Sequence, residues 1–393
     1  MIKKSTERPS RSACREVATE FFHLATETKP FFLQSGESIG PAVIAYETYG
    51  RLNRKRNNAV LVFHALSGSQ HAAGVNRAVP GVGERWTDEC HVGWWDDFIG
   101  PGKGIDTDEF YVVCANYIGG CYGSTGPGSK DPRTGKPYGP RFPQLTIADI
   151  VDSQLALLDH LRIEQLHATI GASLGGLMAL SLASRHPERV RTVIPFATGA
   201  TITPLQRIHN FEQICAIESD PHFHGGDFYE GPPPDRGLAL ARMIGHKTFV
   251  SLTTLEERAR VEVVRRDDTL AWYQLRSPIE SYLLHQGQKF VKRFDANSYL
   301  RILDAWQRFD LVREAVAADL VSLFQRCRTQ NYLVFTIDSD SCFYPDEQAH
   351  LHSALKQAGV DATRITVHSD KGHDSFLLEP HLYRPFLRSA LTD

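Results

Sequence analysis

A serine stands at the centre of a Gly-x-Ser-x-Gly pattern at residues 171–175. An apolar run at 166–170 precedes the pattern, and a helix-forming run at 177–183 follows it. A serine hydroxyl becomes an effective nucleophile when a tight strand-to-helix turn presents it to a general base. Small residues on either side leave room for such a turn, and the N–H of Leu174 can donate to a developing oxyanion. The pattern therefore predicts Ser173 as a catalytic nucleophile and Leu174 as an oxyanion donor.

A general base and a carboxylate that orients it are needed beside that serine. Residues 332–337 have the composition of a buried strand, and Asp338 and Asp340 follow it. Residues 364–367 have the pattern of another strand, and His373 lies in the loop that follows. We predict His373 as the base and Asp340 as its acid. Asp338 stays open as the alternative acid, or as a carboxylate that only forms the turn.

A second oxyanion donor is expected in the loop after an early strand. Residues 59–63 are an uninterrupted apolar run, and the segment His-Ala-Leu-Ser-Gly at 64–68 follows directly. The N–H of Leu66 is the candidate donor. The same residues would also serve as a simple turn at the end of a strand.

Positioning these groups requires a sheet whose strands end at one edge. Strand patterns alternate with helical ones, and the clearest helix covers 147–162, where apolar residues recur at helical spacing. This alternation predicts an α/β fold, a mostly parallel sheet with helices on both faces. The rhythm breaks between residues 195 and 320, where we expect an inserted helical lid. The predicted organisation is a flexible N-terminal arm at 1–30, a core at 31–194 and 321–393, and the lid at 195–320.

Composition excludes several function classes. The 393 residues carry 43 Lys and Arg against 46 Asp and Glu, a near-balance that argues against a nucleic-acid-binding protein. No apolar run reaches the roughly 18 residues that a membrane span needs, so no membrane association is expected. The seven cysteines form no Cys-x-x-Cys pair, which favours reduced thiols in a cytoplasmic protein over a metal site. The N-terminus is basic without an apolar stretch, so it does not have the pattern of a secretory signal.

Several longer segments carry a resemblance to a known family. They are AYETYG at 45–50, HALSG at 64–68, GWWD at 93–96, NYIGGCYGSTGP at 116–127, GKPYG at 135–139, ARMIGH at 241–246, RFDANSYL at 293–300 and GHD at 372–374. Together they resemble the homoserine O-acyltransferase family, which has the α/β-hydrolase fold, and the resemblance extends from about residue 31 to 378.

The resemblance implies a reaction and a set of residues. It implies a catalytic triad of Ser173, Asp340 and His373. It further implies that Arg242 holds the α-carboxylate of L-homoserine and that Asp374 holds its α-ammonium. An acyl-CoA would be the co-substrate, with no bound cofactor and no metal. A homodimer formed through the lid is also implied.

Departures from the family pattern bear on the substrates. An aromatic hydroxyl expected seven residues after Arg242 is Phe249 here. Succinyl-using relatives typically place an arginine two residues after the acid, where this chain has Cys342. Because a buried succinyl carboxylate needs a cation, we expect acetyl-CoA as the donor and O-acetyl-L-homoserine, a methionine precursor, as the product. Succinyl transfer, serine as the acceptor, and a carboxylesterase remain the alternatives.

Overall fold

The computed structural model describes residues 15–260, 270 and 272–392, and most of its strands join one sheet. The strands are β1 (Glu20–Ala25), β2 (Phe31–Phe32), β3 (Ser38–Ile39), β4 (Ala42–Tyr49), β5 (Ala59–Phe63), β6 (Ile99–Gly100), β7 (Ile105–Asp106), β8 (Tyr111–Ala115), β9 (Leu166–Ala172), β10 (Val190–Phe196), β11 (Asn331–Ile337) and β12 (Asp361–Val367). Eight of them form a sheet in the order β1-β4-β8-β5-β9-β10-β11-β12, in which only β4 runs against the others. The predicted α/β sheet is confirmed.

Helices cover both faces of this sheet. They are α1 (Ile147–His160), α2 (Leu174–Arg185), α3 (Pro204–Glu218), α4 (Asp235–Phe249), α5 (Leu252–Ala259), α6 (Pro278–Val291), α7 (Ala296–Gln307), α8 (Leu311–Glu314), α9 (Leu320–Phe324), α10 (Pro345–Gln357), α11 (Ser375–Leu378) and α12 (Pro380–Thr392). The start of α1 follows from its capping box, in which Thr146 and Asp149 bond each other's backbone N–H. The predicted helix at 147–162 is confirmed, although its last two residues are not helical.

The central strands are apolar along their whole length because both faces are covered. Every residue of β5 is buried. Leu61 and Phe63 join the hydrophobic cluster on one face, and Val60 and Val62 join the cluster on the other. Burial on both faces holds β5 in place within the sheet. The edge of the sheet at which β5 and its neighbours end carries the candidate site.

The N-terminal segment corrects one prediction. β1 pairs antiparallel with β4, so that Phe21 lies opposite Ala45. Phe22 packs against His160, with their ring centroids 4.8 Å apart. The expected flexible arm over 1–30 is therefore wrong for residues 20–25, which gain their order from pairing with an edge of the sheet. Residues 1–14 lie outside the described residues.

The chain between β10 and β11 contains α3 to α9 within its described part. α4 packs against α3 and α6. The approach is close, because a Cβ on Gly237 would lie 2.6 Å from the carbonyl oxygen of Ala216, and one on Gly287 would lie 2.9 Å from that of Ala239. This helical segment therefore packs as a layer of its own above the sheet edge.

The described residues contain neither a helix that could span a membrane nor a cluster that could hold a metal ion. No helix there is both long and apolar enough to cross a lipid bilayer. No group of three or more His, Cys, Asp or Glu side chains there is arranged to hold a metal ion.

A buried carboxyl connects this helical segment to the core and makes stability depend on pH. The Ser181 hydroxyl in α2 donates to Glu314 in α8 over 3.0 Å. Burial raises the pKa of Glu314 to about 7, although hydrogen bonding and Arg185 oppose the rise. Since the folded pKa exceeds the unfolded one, stability present at low pH is lost as the pH rises through about 7.

We therefore expect Glu314→Gln to stabilise the protein at pH 8 and to change little at pH 5. The gain at pH 8 should be roughly 1–2 kcal/mol, after reducing the full shift because solvent screens this partly exposed group. Urea unfolding at both pH values measures it, and Glu188→Gln at an exposed site is the control. Equal effects of Glu314→Gln at the two pH values would contradict the assignment.

Candidate active site

Ser173 lies on a strained turn between β9 and α2. Its φ of 58° and ψ of −125° are unusual for a residue with a side chain. Its N–H donates to the carbonyl oxygen of Phe196 in β10 over 2.9 Å. The turn is tight, because a Cβ on Gly171 would lie 2.0 Å from the carbonyl oxygen of Gly175. The Gly-x-Ser-x-Gly pattern is therefore a steric requirement of this backbone.

His373 and Asp340 form a buried pair at the same sheet edge. His373 Nδ1 lies 2.7 Å from Asp340 Oδ2. The other carboxylate oxygen of Asp340 accepts the N–H groups of Cys342 and Phe343, over 2.8 and 2.9 Å. These bonds leave Asp340 as an acceptor for Nδ1–H, so Nε2 is the ring nitrogen available to take a proton. Within the described residues, that buried Nε2 makes no hydrogen bond.

Asp338, the alternative acid, points elsewhere. Its carboxylate contacts Nδ1 of His368 at 2.7 Å and accepts the N–H of Ser369 at 3.0 Å. The His368 side chain is 84% exposed, so this pair belongs to the surface. Of the two candidate acids, the structure brings Asp340 to His373 and leaves Asp338 in a turn.

The charges around His373 favour its protonated form. Burial by itself lowers the pKa of His373, but the charge and hydrogen bond of Asp340, together with Asp374, raise it above the ordinary value. Burial raises the pKa of the Asp374 carboxyl in turn, against the opposing effects of His373 and Arg242. An imidazolium formed by proton transfer from a nucleophile would therefore be stabilised in place.

The loop at 64–68 aims one backbone N–H in a fixed direction. The Ala65 carbonyl oxygen accepts the N–H of Gly68 over 2.9 Å and lies 2.8 Å from Nδ1 of His64. Burial lowers the pKa of His64 to about 4, so the ring is neutral and its Nδ1–H is the donor to that carbonyl. Because C=O and N–H of one trans peptide point in opposite directions, the N–H of Leu66 points away from these partners.

Leu174 offers the second backbone donor. It is the first residue of α2, so its N–H has no acceptor within the helix. It follows Ser173 directly, as an oxyanion donor at a nucleophile turn must. The structure places Leu174 at the start of α2, directly after Ser173, and Leu66 in the loop at 64–68, which lines the same cavity as Ser173.

A cavity of about 260 Å³ connects these groups. Its walls include Leu66, Ser173 and His373 from the core. Arg242 and Asp374, the residues implied for substrate binding, line it as well. Cys342, by contrast, is not among the lining residues; its side chain is buried beside Asp340.

Arg242 presents an unpaired cation to this cavity. Its guanidinium lies over the rings of Phe290 and Phe249, 4.9 and 5.4 Å from their centroids. It donates no hydrogen bond and forms no ion pair within the described part of the chain. Burial, followed by the nearby charge of Arg293, lowers the pKa of Arg242. A substrate carboxylate in the cavity beside Arg242 would compensate the guanidinium for the water that it has lost. The carboxylate of Asp374 could bind a substrate ammonium in the same cavity.

Two other residues at the cavity, Arg293 and Tyr122, have no role predicted from the sequence. Arg293 Nη1 donates to the Ser67 carbonyl and the Tyr122 hydroxyl, each over 3.1 Å. Both residues lie in segments that carry the family resemblance, at 116–127 and 293–300, and the resemblance is the signal that could have indicated them.

This chain is similar in sequence and in structure to known proteins with the alpha/beta hydrolase fold. A family model described as the alpha/beta hydrolase fold matches residues 58–380. A homoserine O-acetyltransferase of Solidesulfovibrio magneticus is 43% identical, with 98% of this chain and 96% of that protein covered. The crystal structure of a homoserine O-acetyltransferase from Bacillus anthracis has a TM-score of 0.85 at 26% identity, over 96% of this chain and 98% of the other. The crystal structure of esterase E22 has the same TM-score at 27% identity, over 96% and 100%.

The two acids give a direct test of the buried pair. We expect Asp340→Asn to lower kcat for p-nitrophenyl acetate, a general acyl donor, by roughly 10³–10⁴-fold, since the amide no longer orients the base. Asp338→Asn should leave kcat within about twofold, because its partner is an exposed histidine. Steady-state release of p-nitrophenol measures both. A larger loss in Asp338→Asn than in Asp340→Asn would reverse the assignment.

Proposed function

Because this chain belongs to the homoserine O-acetyltransferase family of α/β hydrolases, and is thus an acyltransferase, we propose that it transfers the acetyl group of acetyl-CoA to the hydroxyl of L-homoserine. The product would be O-acetyl-L-homoserine, for methionine biosynthesis. The observation that carries the proposal is one cavity in which a nucleophilic serine lies with a cation and an anion, Arg242 and Asp374, suited to a zwitterion.

The first half of the reaction acylates the enzyme. His373 takes the Ser173 proton on Nε2 while Oγ attacks the thioester carbonyl of acetyl-CoA. The N–H groups of Leu66 and Leu174 hold the resulting oxyanion. When the tetrahedral adduct collapses, the C–S bond breaks and the imidazolium protonates the departing thiolate. The products of this half are free CoA and acetyl-Ser173.

The second half transfers the acetyl group by the same steps in reverse. Arg242 binds the homoserine carboxylate and Asp374 binds its ammonium. Asp374 is the residue after His373, so an ammonium held there brings the substrate's hydroxyl toward the base. His373 removes the hydroxyl proton, the new oxygen attacks the acetyl carbonyl, and Ser173 leaves with the proton. This is a ping-pong mechanism.

The charges around the cavity support acetyl-CoA as the donor. A succinyl group would bring a second carboxylate into a site that excludes water. Among the described residues, the arginine side chains that line the cavity are Arg242 and Arg293. The first is assigned to the acceptor, and Nη1 of the second is already bonded to Ser67 and Tyr122. Cys342, at the position where succinyl-using relatives typically have an arginine, carries no cation and does not line the cavity. These features support acetyl over succinyl.

A carboxylesterase is the second candidate, favoured by the structural likeness to esterase E22. An esterase and a transferase share the serine, acid and base, and differ in what reaches the acyl-enzyme. The helical segment supports transfer, because Arg242 in α4 and Trp306 in α7 line the cavity from above the sheet edge and narrow the access of water.

The proposal extends to the assembly and compartment. The outer faces of α3 and α4 expose large apolar side chains, including Leu205, Ile208, Phe211 and Leu240. Such a face on the helical segment supports a homodimer formed through it. The six cysteines in the described part of the chain form no disulfide, which supports a reducing cytoplasm as the place of the reaction.

The substrates are tested by competition in one mixture. With acetyl-CoA, succinyl-CoA, L-homoserine and L-serine together, mass spectrometry should find O-acetyl-L-homoserine as the main product. Without an acceptor, acetyl-CoA should give one equivalent of free CoA per active site and then little more. Ser173→Ala should remove that burst. Steady CoA release without an acceptor would identify a hydrolase, and a burst retained in Ser173→Ala would overturn the serine mechanism.

The acceptor site is tested by separating the two half-reactions. We expect Arg242→Lys to raise the KM for L-homoserine by about 10-fold or more, since a bidentate contact to the carboxylate is lost. The CoA burst should stay unchanged, because no acceptor takes part in it. The control acceptor is 3-aminopropan-1-ol, which lacks the carboxylate and should react equally poorly with both enzymes. A slower burst in Arg242→Lys would place this residue in the donor half instead.

A further inference from the structure

Arg293 lies between α6 and α7, in the helical segment, yet it contacts the core loop beside the nucleophile. Its Nη1 donates to the Ser67 carbonyl over 3.1 Å, and Ser67 belongs to the loop at 64–68. Its guanidinium also lies over the Phe290 ring, 5.1 Å from the centroid. Arg293 has no role in the proposed reaction steps.

Tyr122 fixes Arg293 at both ends. The Tyr122 hydroxyl accepts from Nη1 over 3.1 Å and donates to the backbone carbonyl of Arg293 over 2.7 Å. The ring of Tyr122 is buried, and it packs edge-on against Trp86 and Phe294. A long side chain held in this way loses little further entropy when it holds another group. Arg293 is therefore held in one position, where it connects the helical segment to the loop at 64–68.

The loop is held from two sides, with the oxyanion donor between them. On the core side, His64 and Gly68 bond the Ala65 carbonyl, and His64 stacks on Tyr117 with their centroids 3.7 Å apart. On the other side, Arg293 bonds the Ser67 carbonyl. The Leu66 N–H lies between the two anchored carbonyls, so its direction depends on both.

We propose that Arg293 is a positioning residue for acyl transfer, which fixes the Leu66 N–H toward the oxyanion by holding the Ser67 carbonyl. This inference rests on the proposed function. It means that the helical segment contributes to the electrostatic stabilisation of the tetrahedral adduct as well as to acceptor binding. An oxyanion donor acts mainly through its fixed direction, so an anchor of this kind affects the rate of acylation more than the binding of either substrate.

A direct contact with a substrate is the competing role for Arg293. Its guanidinium and that of Arg242 both lie over the Phe290 ring, and both arginines line the cavity. Contact with the homoserine carboxylate would appear in the acceptor half alone. Contact with CoA would appear with acetyl-CoA and be absent with a small acyl donor. The half-reactions and the two donors therefore separate the three roles.

The experiment measures pre-steady-state acylation with acetyl-CoA and with p-nitrophenyl acetate. Arg293→Met should slow acylation by both donors by roughly 10–100-fold, somewhat less than loss of an oxyanion donor itself. Burst amplitudes should stay near one per site, which shows that the protein remains folded, and the KM for L-homoserine should stay within about twofold of the wild-type value. Arg293→Lys should recover part of the rate, since an ammonium can still donate to the Ser67 carbonyl.

Tyr122→Phe supplies a second variant if Arg293→Met folds poorly. It should slow acylation in the same direction, and the double variant should be no slower than Arg293→Met, because the two residues act as one unit. Arg276→Met is the control; this exposed arginine of the helical segment lies over Tyr273 at 5.8 Å, away from the cavity.

Three outcomes would overturn the inference. They are an unchanged acylation rate in Arg293→Met, a loss confined to acetyl-CoA, and a loss confined to the KM for L-homoserine. Failure of the proposed function is distinct, because it would appear in the wild-type enzyme, either as no release of CoA from acetyl-CoA or as steady CoA release without an acceptor.

Discussion

The turn at Ser173 is the constraint on which the rest of the site depends. Its backbone conformation costs about 1–3 kcal/mol and persists only where the surroundings hold it. They do so through contacts that tolerate no Cβ: one on Gly175 would lie 2.3 Å from the carbonyl oxygen of Phe63, and one on Gly176 would lie 2.5 Å from the Thr198 side chain. Phe63 ends β5, so the same close approach that holds the nucleophile also brings the loop at 64–68 beside it. The nucleophile and its oxyanion donors are therefore placed by a single packing arrangement.

Charge around this turn is divided between the two layers. The core supplies Asp340 and His373, a pair buried deeply enough that the carboxylate accepts three hydrogen bonds. It also supplies Asp374, whose carboxyl pKa is raised by burial. The helical segment supplies the cations at the cavity, Arg242 and Arg293. Beside the Asp340–His373 pair, the core brings the carboxyl of Asp374 to the cavity and the helical segment brings two cations, and their apposition makes a cavity that suits a small zwitterion.

The sequence predicts the parts of this arrangement that have local causes. The parallel strands β5 and β11 were predicted to within a residue, because strands buried on both faces are continuous apolar runs. β1 was missed, since an edge strand draws its order from pairing. Ser173, Asp340 and His373 follow from their places after strands, but the choice between Asp338 and Asp340 does not. That choice depends on which of the two carboxylates the turn directs toward His373. The N–H groups of Cys342 and Phe343 hold the Asp340 carboxylate in that direction. The contact of Arg293 was beyond prediction because its acceptor is a backbone carbonyl, which no side-chain pattern marks.

A triad on this fold does not by itself decide between an acceptor hydroxyl and water. Both are oxygen nucleophiles, and His373 can deprotonate either. The decision lies in residues that favour one over the other at the acyl-enzyme, and the helical segment supplies two of the polar ones at the cavity, Arg242 and Arg293. If that segment also anchors the loop at 64–68 through Arg293, then its placement governs both the stabilisation of the oxyanion and the admission of the acceptor. Displacing the segment to admit water would then weaken the Leu66 donor, so hydrolysis would be slowed by the same movement that permits it. Such coupling is a physical reason why, in a transferase, a residue of the helical segment that covers the site should hold the loop that carries the oxyanion donor.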